Sequence, residues 1–328
     1  MNLLQQTRDL CNLYEIKPAR SKGQNFLIKE EVYDEIIASA DLKPDDIVLE
    51  VGPGLGFLTA KLASKVKQVI AVELDDKLAE ILRIGLMSQG VKNVEVVNKN
   101  VLDFSMFNCK SGTDNLQEYN HSNLLYQGGV VQTLKYKIVA NLPFNITSIF
   151  LRKFLEADVK PELMVLMLQK EVAERIIAKP PKMSLLAVSV QLYSQPEIIK
   201  IVSADNFWPK PAVDSAIIKL KVESLKLKVR EEKSQKLKVE SLKLKVREEK
   251  SQKLKVESLK LKVSEKDFFR LVKIGFSSKR KMLKNNLANG YKIEPNEVEN
   301  KLKNIGLDVK IRAEGLSVDN WLKLFGEF

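Results

Sequence analysis

Two short stretches of this sequence carry residue types whose spacing could do chemistry. The first is Glu50-Val-Gly52-Pro-Gly54-Leu-Gly56, followed 21 residues after Gly52 by Glu73. Glycines so placed let a backbone turn pass close to a ligand at a helix N-terminus. A dinucleotide fingerprint, Gly-x-Gly-x-x-Gly, needs its third glycine at position 57, which is Phe57. Pro53 also removes an N–H that a pyrophosphate could use. The turn therefore suits a nucleoside without phosphates, and a carboxylate ending the next strand, Glu73, can accept both hydroxyls of a ribose. The second stretch is Asn141-Leu142-Pro143-Phe144, which ends an apolar run. Pro143 cannot donate to a sheet ladder, so the strand stops near Asn141, at the end where open α/β sheets bind their ligands.

S-adenosylmethionine is the nucleoside cofactor that meets the demands of the glycine turn. Its sulfonium makes a methyl group electrophilic, so the protein must chiefly bring a nucleophile into line with it. Asn-Leu-Pro-Phe suits an adenine N6, whose lone pair is delocalised into the ring. If the Asn141 side-chain oxygen and the Leu142 carbonyl each accept one N6 hydrogen, that lone pair is directed outward. Pro143 holds the turn rigid, and Phe144 offers a stacking face worth roughly 1–3 kcal/mol. The plainer alternative makes Asn141 a turn or N-cap residue and Phe144 a core side chain.

These residues need a scaffold, and the pattern of the chain describes one. Val32, Ile36, Ile37 and Ala40 recur at helical spacing before the first strand. DDIVLEVGPGLGFLTAKLASKV reads as a buried strand (Ile47 to Val51), a glycine turn and a helix with the stripe Leu58, Leu62 and Val66. QVIAVEL, VEVVN, YKIVAN and LMVLML follow as strands, alternating with helices such as KEVAERIIA and LLAVSVQLYS. Such alternation predicts an α/β fold with an open, mainly parallel, doubly wound sheet. IIKIVS and SAIIKLKV, joined without a helix, predict an antiparallel hairpin at its edge. From 264 to 328 the spacing is helical without strand signals, predicting a small helical domain.

The chain has 328 residues, 45% apolar and 29% charged, as globular proteins do. It contains no run of about 18 apolar residues, so no membrane span is expected. The N-terminal residues do not read as a signal peptide. With two cysteines, Cys11 and Cys109, a disulfide framework is not expected and a reducing cytoplasm is. With one histidine, His121, neither a zinc site nor a Ser-His-Asp machine has raw material, and no metal is expected.

The net charge of +12 suggests a polyanionic partner, but a repeat supplies most of it. From Lys219 to Val263 the chain repeats KLKVESLKLKVREEKSQ, for two full copies and a truncated third. Each KLKVESLKLKV carries four lysines against one glutamate and each REEKSQ balances, so the repeat accounts for nine of the twelve net charges. The period of 17 is too short for a common solenoid unit. The segment reads either as a duplicated, dispensable insertion or as a basic arm for RNA. Outside it, the best basic cluster is Lys279, Arg280, Lys281 and Lys284, with Asn285 and Asn286 beside it.

Seven segments together, SKGQNFL (21–27), VLEVGPGLGFLT (48–59), VIAVELD (69–75), VANLPFNIT (139–147), MLQKEVAERI (167–176), FWPKPAVDSAIIKL (207–220) and FSSKRKMLKNNL (276–287), resemble the KsgA-type rRNA adenine dimethyltransferases. The resemblance implies a class I S-adenosylmethionine-dependent methyltransferase fold, Rossmann-like with a seven-stranded mainly parallel sheet, and a small C-terminal helical domain. It implies conversion of two adjacent adenosines near the 3′ end of small-subunit rRNA to N6,N6-dimethyladenosine, within an assembling ribosomal subunit, by a cytoplasmic monomer. It assigns catalysis to Asn141, Leu142, Pro143 and Phe144. The cofactor would be held by Asn25, Leu27, Gly52, Gly54, Glu73, Asn100 and Asn141, and RNA by Lys279, Arg280, Lys281 and Lys284. The domains would be 1–218 for catalysis, 219–263 for the repeat and 264–328 for RNA binding. Three departures stand out: Asn100 where the family usually has an acid, Phe144 where it often has Tyr, and a lengthened loop at about 108–134 with no assigned role. Two rivals remain open, a resistance-type methyltransferase of large-subunit rRNA and a non-catalytic ribosome assembly factor.

Overall fold

A computed structural model describes residues 2–18, 24–106, 124–127, 130–133, 135–223 and 265–328. The chain falls into two compact units, Met1–Ile177 with Tyr193–Glu223, and Ala178–Leu192 with Ser224–Phe328. In chain order the first unit contains α1 (Leu3–Leu13), β1 (Phe26–Leu27), α2 (Glu30–Ser39), β2 (Ile47–Val51), α3 (Phe57–Ala63), β3 (Gln68–Glu73), α4 (Asp76–Ser88) and β4 (Val94–Asn98). A two-stranded antiparallel pair, β5 (Leu124–Gln127) and β6 (Val130–Thr133), stands in the lengthened loop, whose remaining residues up to 134 include Cys109 and His121 and lie outside the described ones. Then come β7 (Lys137–Asn141), α5 (Thr147–Leu155), β8 (Leu163–Gln169), α6 (Lys170–Ile176), β9 (Ser194–Val202), β10 (Phe207–Trp208) and β11 (Ser215–Val222).

Seven strands form one sheet in the order β4-β3-β2-β7-β8-β11-β9. The pairs from β4 through β8 are all parallel, as the β/α alternation requires. The near-continuous apolar runs of β2, β3, β7 and β8 are buried, which suits a sheet covered on both faces, and β4 at the edge is only partly so. Val48, Val69, Val139 and Val165 pack with Val32 and Ile36 of α2 and Leu58 and Leu62 of α3. Helix α3 stops at Ala63, and Val66, the last residue of its expected stripe, is buried just beyond it.

The edge of the sheet is the expected antiparallel hairpin. Strands β9 and β11 pair antiparallel, and it is the later strand, β11, that lies inside, between β8 and β9 and antiparallel to both, so β9 is the edge. The residues explain the order. Ala216, Ile217, Ile218 and Leu220 of β11 are fully buried, whereas β9 exposes Gln195, Glu197, Lys200 and Ile201 and contains Pro196, which an edge strand tolerates. The connection is a 3-10 turn (Ala204–Asn206) and β10, which pairs with β1.

Strand β11 runs past the expected boundary at 218. Lys219–Val222, the first four residues of the repeat, belong to the sheet, and the first unit runs to Glu223. Lys219 Nζ meets Asp41 Oδ2 at 2.6 Å, while buried Lys137 pairs with Asp46 at 2.8 Å. The rest of the repeat lies outside the described residues.

The second unit is helical. It contains α7 (Leu185–Tyr193) up to Leu192, then α8 (265–275), α9 (Leu283–Tyr291), α10 (Pro295–Asn304), a 3-10 turn (Ala313–Gly315) and α11 (Val318–Phe325). Phe268, Leu271, Val272, Leu283, Leu287, Val298, Leu302, Trp321 and Leu324 are among its buried residues. A Cβ on Gly275 would lie 2.4 Å from the Trp321 ring, so glycine there is what lets the indole close on α8. The stretch 178–192, expected in the larger domain, groups with this unit. Among the described residues no helix is long and apolar enough to cross a membrane.

Candidate active site

The carboxyl ends of β2, β3, β4 and β7 converge on a cavity of about 380 Å³ in the first unit. That is within the range of small-molecule sites, about 300–1,000 Å³. Gly52, Gly54 and Gly56 all have positive φ, which glycine adopts without strain. A Cβ on Gly56 would also lie 2.5 Å from Leu82 Cδ1, so this glycine lets the turn seat against α4.

Glu73 ends β3 beneath the turn. Its Oε2 accepts the Gly54 N–H at 3.1 Å and its Oε1 accepts the Asp75 N–H at 3.0 Å. Burial pushes its pKa up, and the two backbone N–H bonds oppose that. Each oxygen keeps lone-pair capacity for a further donor. The Lys99 N–H and the Asn98 side-chain amide donate to the Glu73 carbonyl at 2.9 and 3.0 Å, which fixes the turn after β4 beside β3. On that turn Asn100 Oδ1 accepts the Leu102 N–H at 2.9 Å, so this amide both lines the cavity and braces its own loop.

The segment before α2 forms another wall. Gln24, Asn25, Phe26 and Leu27 line the cavity, and Gln24 Nε2 donates to Asp75 Oδ2 at 3.4 Å. Phe26 lies over the glycine turn, 3.3 Å from where a Gly54 Cβ would be. Leu27 is held by its β1–β10 pairing and by the Tyr33 hydroxyl, which donates to its carbonyl at 3.0 Å.

Asn141 is the last residue of β7, where the proline was expected to end the strand. A Cβ on Gly52 would lie 3.8 Å from the Asn141 carbonyl and 3.9 Å from Pro143 Cδ, so the two sequence motifs touch. Asn141 and Pro143 line the cavity. Leu142 turns its side chain into the core and donates its N–H to the Met167 carbonyl at 3.0 Å. Phe144 is half-buried and, unlike the neighbouring Asn145 and Ile146, does not line the cavity.

One residue escaped the sequence reading. Glu50, in the penultimate position of β2, is 1% exposed, borders the cavity and has an Oε2 with no hydrogen-bond partner. Burial pushes its pKa up to about 8; the Thr59 hydroxyl pulls it down and Glu73 pushes it further up. The signal was present as an acid inside an otherwise apolar strand, IVLEV.

In the second unit the basic cluster divides. Lys279, Arg280 and Lys281 are exposed on the turn between α8 and α9. Lys284 is four-fifths buried and paired with Glu299 of α10, so it is not a free cation. Asn286 is buried at 4% exposure rather than displayed beside the cations.

The sequence profile of the ribosomal RNA adenine dimethylase family matches residues 17–245. A protein of Dehalococcoides mccartyi named ribosomal RNA small subunit methyltransferase A is 37% identical over 327 residues, covering 100% of this chain and 94% of the relative. The protein of the same name from Natranaerobius thermophilus is 31% identical, covering 99% and 97%. Among solved structures, the 23S rRNA methyltransferase ErmE superposes with a TM-score of 0.63 at 25% identity, covering 92% of this chain and 99% of that one. A dimethyladenosine transferase from Plasmodium falciparum superposes with a TM-score of 0.64 at 23% identity, covering 91% and 95%, a likeness of fold. With the profile covering more than half its length and curated relatives aligned along all of it, the chain belongs to the ribosomal RNA adenine dimethylase family.

Proposed function

We propose that this protein transfers methyl groups from S-adenosylmethionine to N6 of two adjacent adenosines in the 3′-terminal hairpin of small-subunit rRNA, giving N6,N6-dimethyladenosine in an assembling subunit. The observation that carries this reading is the meeting, around one cavity, of the glycine turn, Glu73 and the Asn141-Pro143 strand end. The cavity fits a nucleoside. Glu73 is held from both sides by backbone N–H groups and has an acceptor left on each oxygen for the ribose hydroxyls. Asn100 would accept from the adenine amine, and Asn25, Leu27, Gly52 and Gly54 would close the walls.

When bound, S-adenosylmethionine supplies an electrophilic methyl group. The chain's own contribution is to present the nucleophile. Asn141 Oδ1 and the Leu142 carbonyl accept the two N6 hydrogens and stabilise the positive charge that develops on that nitrogen during attack. No strong base is needed beforehand, because the proton leaves after N6 has become cationic. Phe144, on the turn but outside the cofactor cavity, is free to take the face of an extruded base. Lys279, Arg280 and Lys281 would meet RNA phosphate.

The relatives' names support a small-subunit substrate. Those named small subunit methyltransferase A reach 37% identity, against 25% for the large-subunit enzyme. The convergence of Gly52, Glu73 and Asn141 speaks for catalysis over a purely assembly role. The test is to incubate the protein and its Asn141→Ala variant with labelled S-adenosylmethionine and unmethylated small ribosomal subunits, then map the label. Dimethyladenosine at two adjacent 3′-hairpin positions, lost in the variant, is expected. Label confined to large-subunit rRNA, or subunit binding without label, would overturn the reading.

A further inference from the structure

The basic stretch KRKMLKNN looks uniform in sequence, yet its side chains are placed in two different ways. Lys279, Arg280 and Lys281 stand exposed on the turn, and among the described residues no carboxylate pairs with them. Asn286, on the first turns of α9, points back underneath them. Its Nδ2 donates to the Gly275 carbonyl at 2.7 Å and to the Ser278 carbonyl at 3.0 Å. Gly275 is the last residue of α8, so one bond satisfies an orphan helix-terminal carbonyl. The other seizes the turn just before the first cation. A single amide nitrogen with two diverging hydrogens thereby ties the end of one helix, the middle of the turn and the start of the next helix.

No close substitute can do this. Asp has Asn's shape without a donor, and Leu has its bulk without either polar atom. A buried amide losing both partners also leaves two carbonyls unpaired. The backbone adds a further anchor, because the Leu283 N–H donates to the Ile311 carbonyl at 2.8 Å. Lys284 is spent inside the unit on Glu299, where it joins α9 to α10.

We propose that Asn286 and Lys284 are positioning residues for RNA recognition, Asn286 clamping the 276–282 turn so that Lys279, Arg280 and Lys281 are presented together to phosphate. This rests on the RNA-contacting role given above to those three cations. A turn fixed in advance loses less freedom on binding, so the clamp adds affinity without touching the nucleic acid.

The full-length protein would be titrated against an unmethylated small-subunit rRNA 3′-hairpin over a series of KCl concentrations, with thermal midpoint and cofactor affinity as folding controls. Each phosphate contact steepens the logarithmic salt slope by roughly 0.7–0.9. The triple variant Lys279→Gln, Arg280→Gln, Lys281→Gln should flatten the slope by about two. An unchanged slope there would sink the contact reading itself. Asn286→Asp should weaken binding about tenfold and flatten the slope by about one, yet cost little more when added to the triple variant. Loss that adds in full on top of the triple variant would overturn the clamp. Lys284→Met should weaken binding, and adding Glu299→Met should restore both affinity and slope. Failure of that rescue would overturn the positioning role of Lys284, a slope flattened by about one then making it a phosphate contact, and Asn286→Leu repeats the additivity test of the clamp if Asn286→Asp does not fold.

Discussion

The Gly54 backbone N–H donates to the Glu73 carboxylate at 3.1 Å, so the turn after β2 and the acid that ends β3 are one construction. Replacing Glu73 therefore disturbs a ribose acceptor and the turn around it together. Glu73→Ala should weaken S-adenosylmethionine binding about tenfold to a hundredfold, the scale of charged hydrogen bonds worth roughly 1.5–3 kcal/mol. Isothermal titration reads this directly, and a dissociation constant within twofold of the parent would remove Glu73 from the site.

Asn141 stands where the cavity meets the strand end, with no charge to offer and one oxygen to accept. Asn141→Ala should lower kcat by about 10²–10³, the cost of losing one well-placed transition-state acceptor. Cofactor affinity should change much less. Single-turnover methylation of small subunits measures the first quantity. Equal losses in kcat and cofactor affinity would mean that the residue only holds the cofactor.

At Glu50 the pH dependence has a definite sign. An unfolded glutamate ionises near 4.5, whereas the buried one holds its proton to about 8. Between those values the folded chain binds a proton that the unfolded chain has lost, so this site's contribution to stability falls as pH rises. Of the groups around it, Glu73 of β3 deepens the effect by repelling its charge, the Thr59 hydroxyl of α3 opposes it in part, and the Tyr33 hydroxyl of α2 brings no positive charge. Glu50→Gln should gain stability relative to the parent from pH 5 to pH 8. A thermal-midpoint difference that stays constant across that range would contradict the assignment.

Asn100→Asp adds a charge at the position that braces its own loop and lines the cavity. A carboxylate can still accept the Leu102 N–H and offers a charge-assisted bond to an adenine amine. The variant should bind S-adenosylmethionine several-fold more tightly. Equal or weaker affinity by titration would place the adenine elsewhere.

Removing residues 230–263 takes out 34 residues and leaves one KLKVESLKLKV unit. Because β11 ends at Val222, within that remaining unit, the deletion should leave the thermal midpoint and cofactor affinity unchanged. Affinity for rRNA and its salt slope then separate the two readings of the repeat. An unchanged slope marks a dispensable insertion, and a flatter one marks a basic arm.

The parts of the site legible in the sequence are those where backbone geometry restricts residue type. Gly52, Gly54 and Gly56 announce positive φ, Pro143 announces the end of a strand, and both lie where expected. The placement of Glu73 and Asn141 beside one cavity followed from strand ends in a parallel sheet, whereas Asn25, Leu27 and Asn100 were named from the family resemblance alone, and all five line that cavity. What stayed hidden depends on partners far away in sequence. Periodicity cannot say that β11 slips between β8 and β9, because a buried strand reads alike wherever it is inserted. Nor can it show that Lys284 has a carboxylate opposite it or that Asn286 faces inward, since both sit in a run that looks like a solvated face.

The position of β11 has a consequence for synthesis. It is the last strand of the sheet to be made, yet it occupies an interior place, with β8 on one side and β9 on the other. While the ribosome is still translating residues before Ser215, β8 has no partner on that side although its residues are apolar from Leu163 to Leu168. A nascent chain in that interval presents an unpaired hydrophobic strand edge, the kind that recruits chaperones or other chains. The enzyme proposed to finish ribosomal subunits thus cannot complete its own sheet until the ribosome making it has passed residue 222.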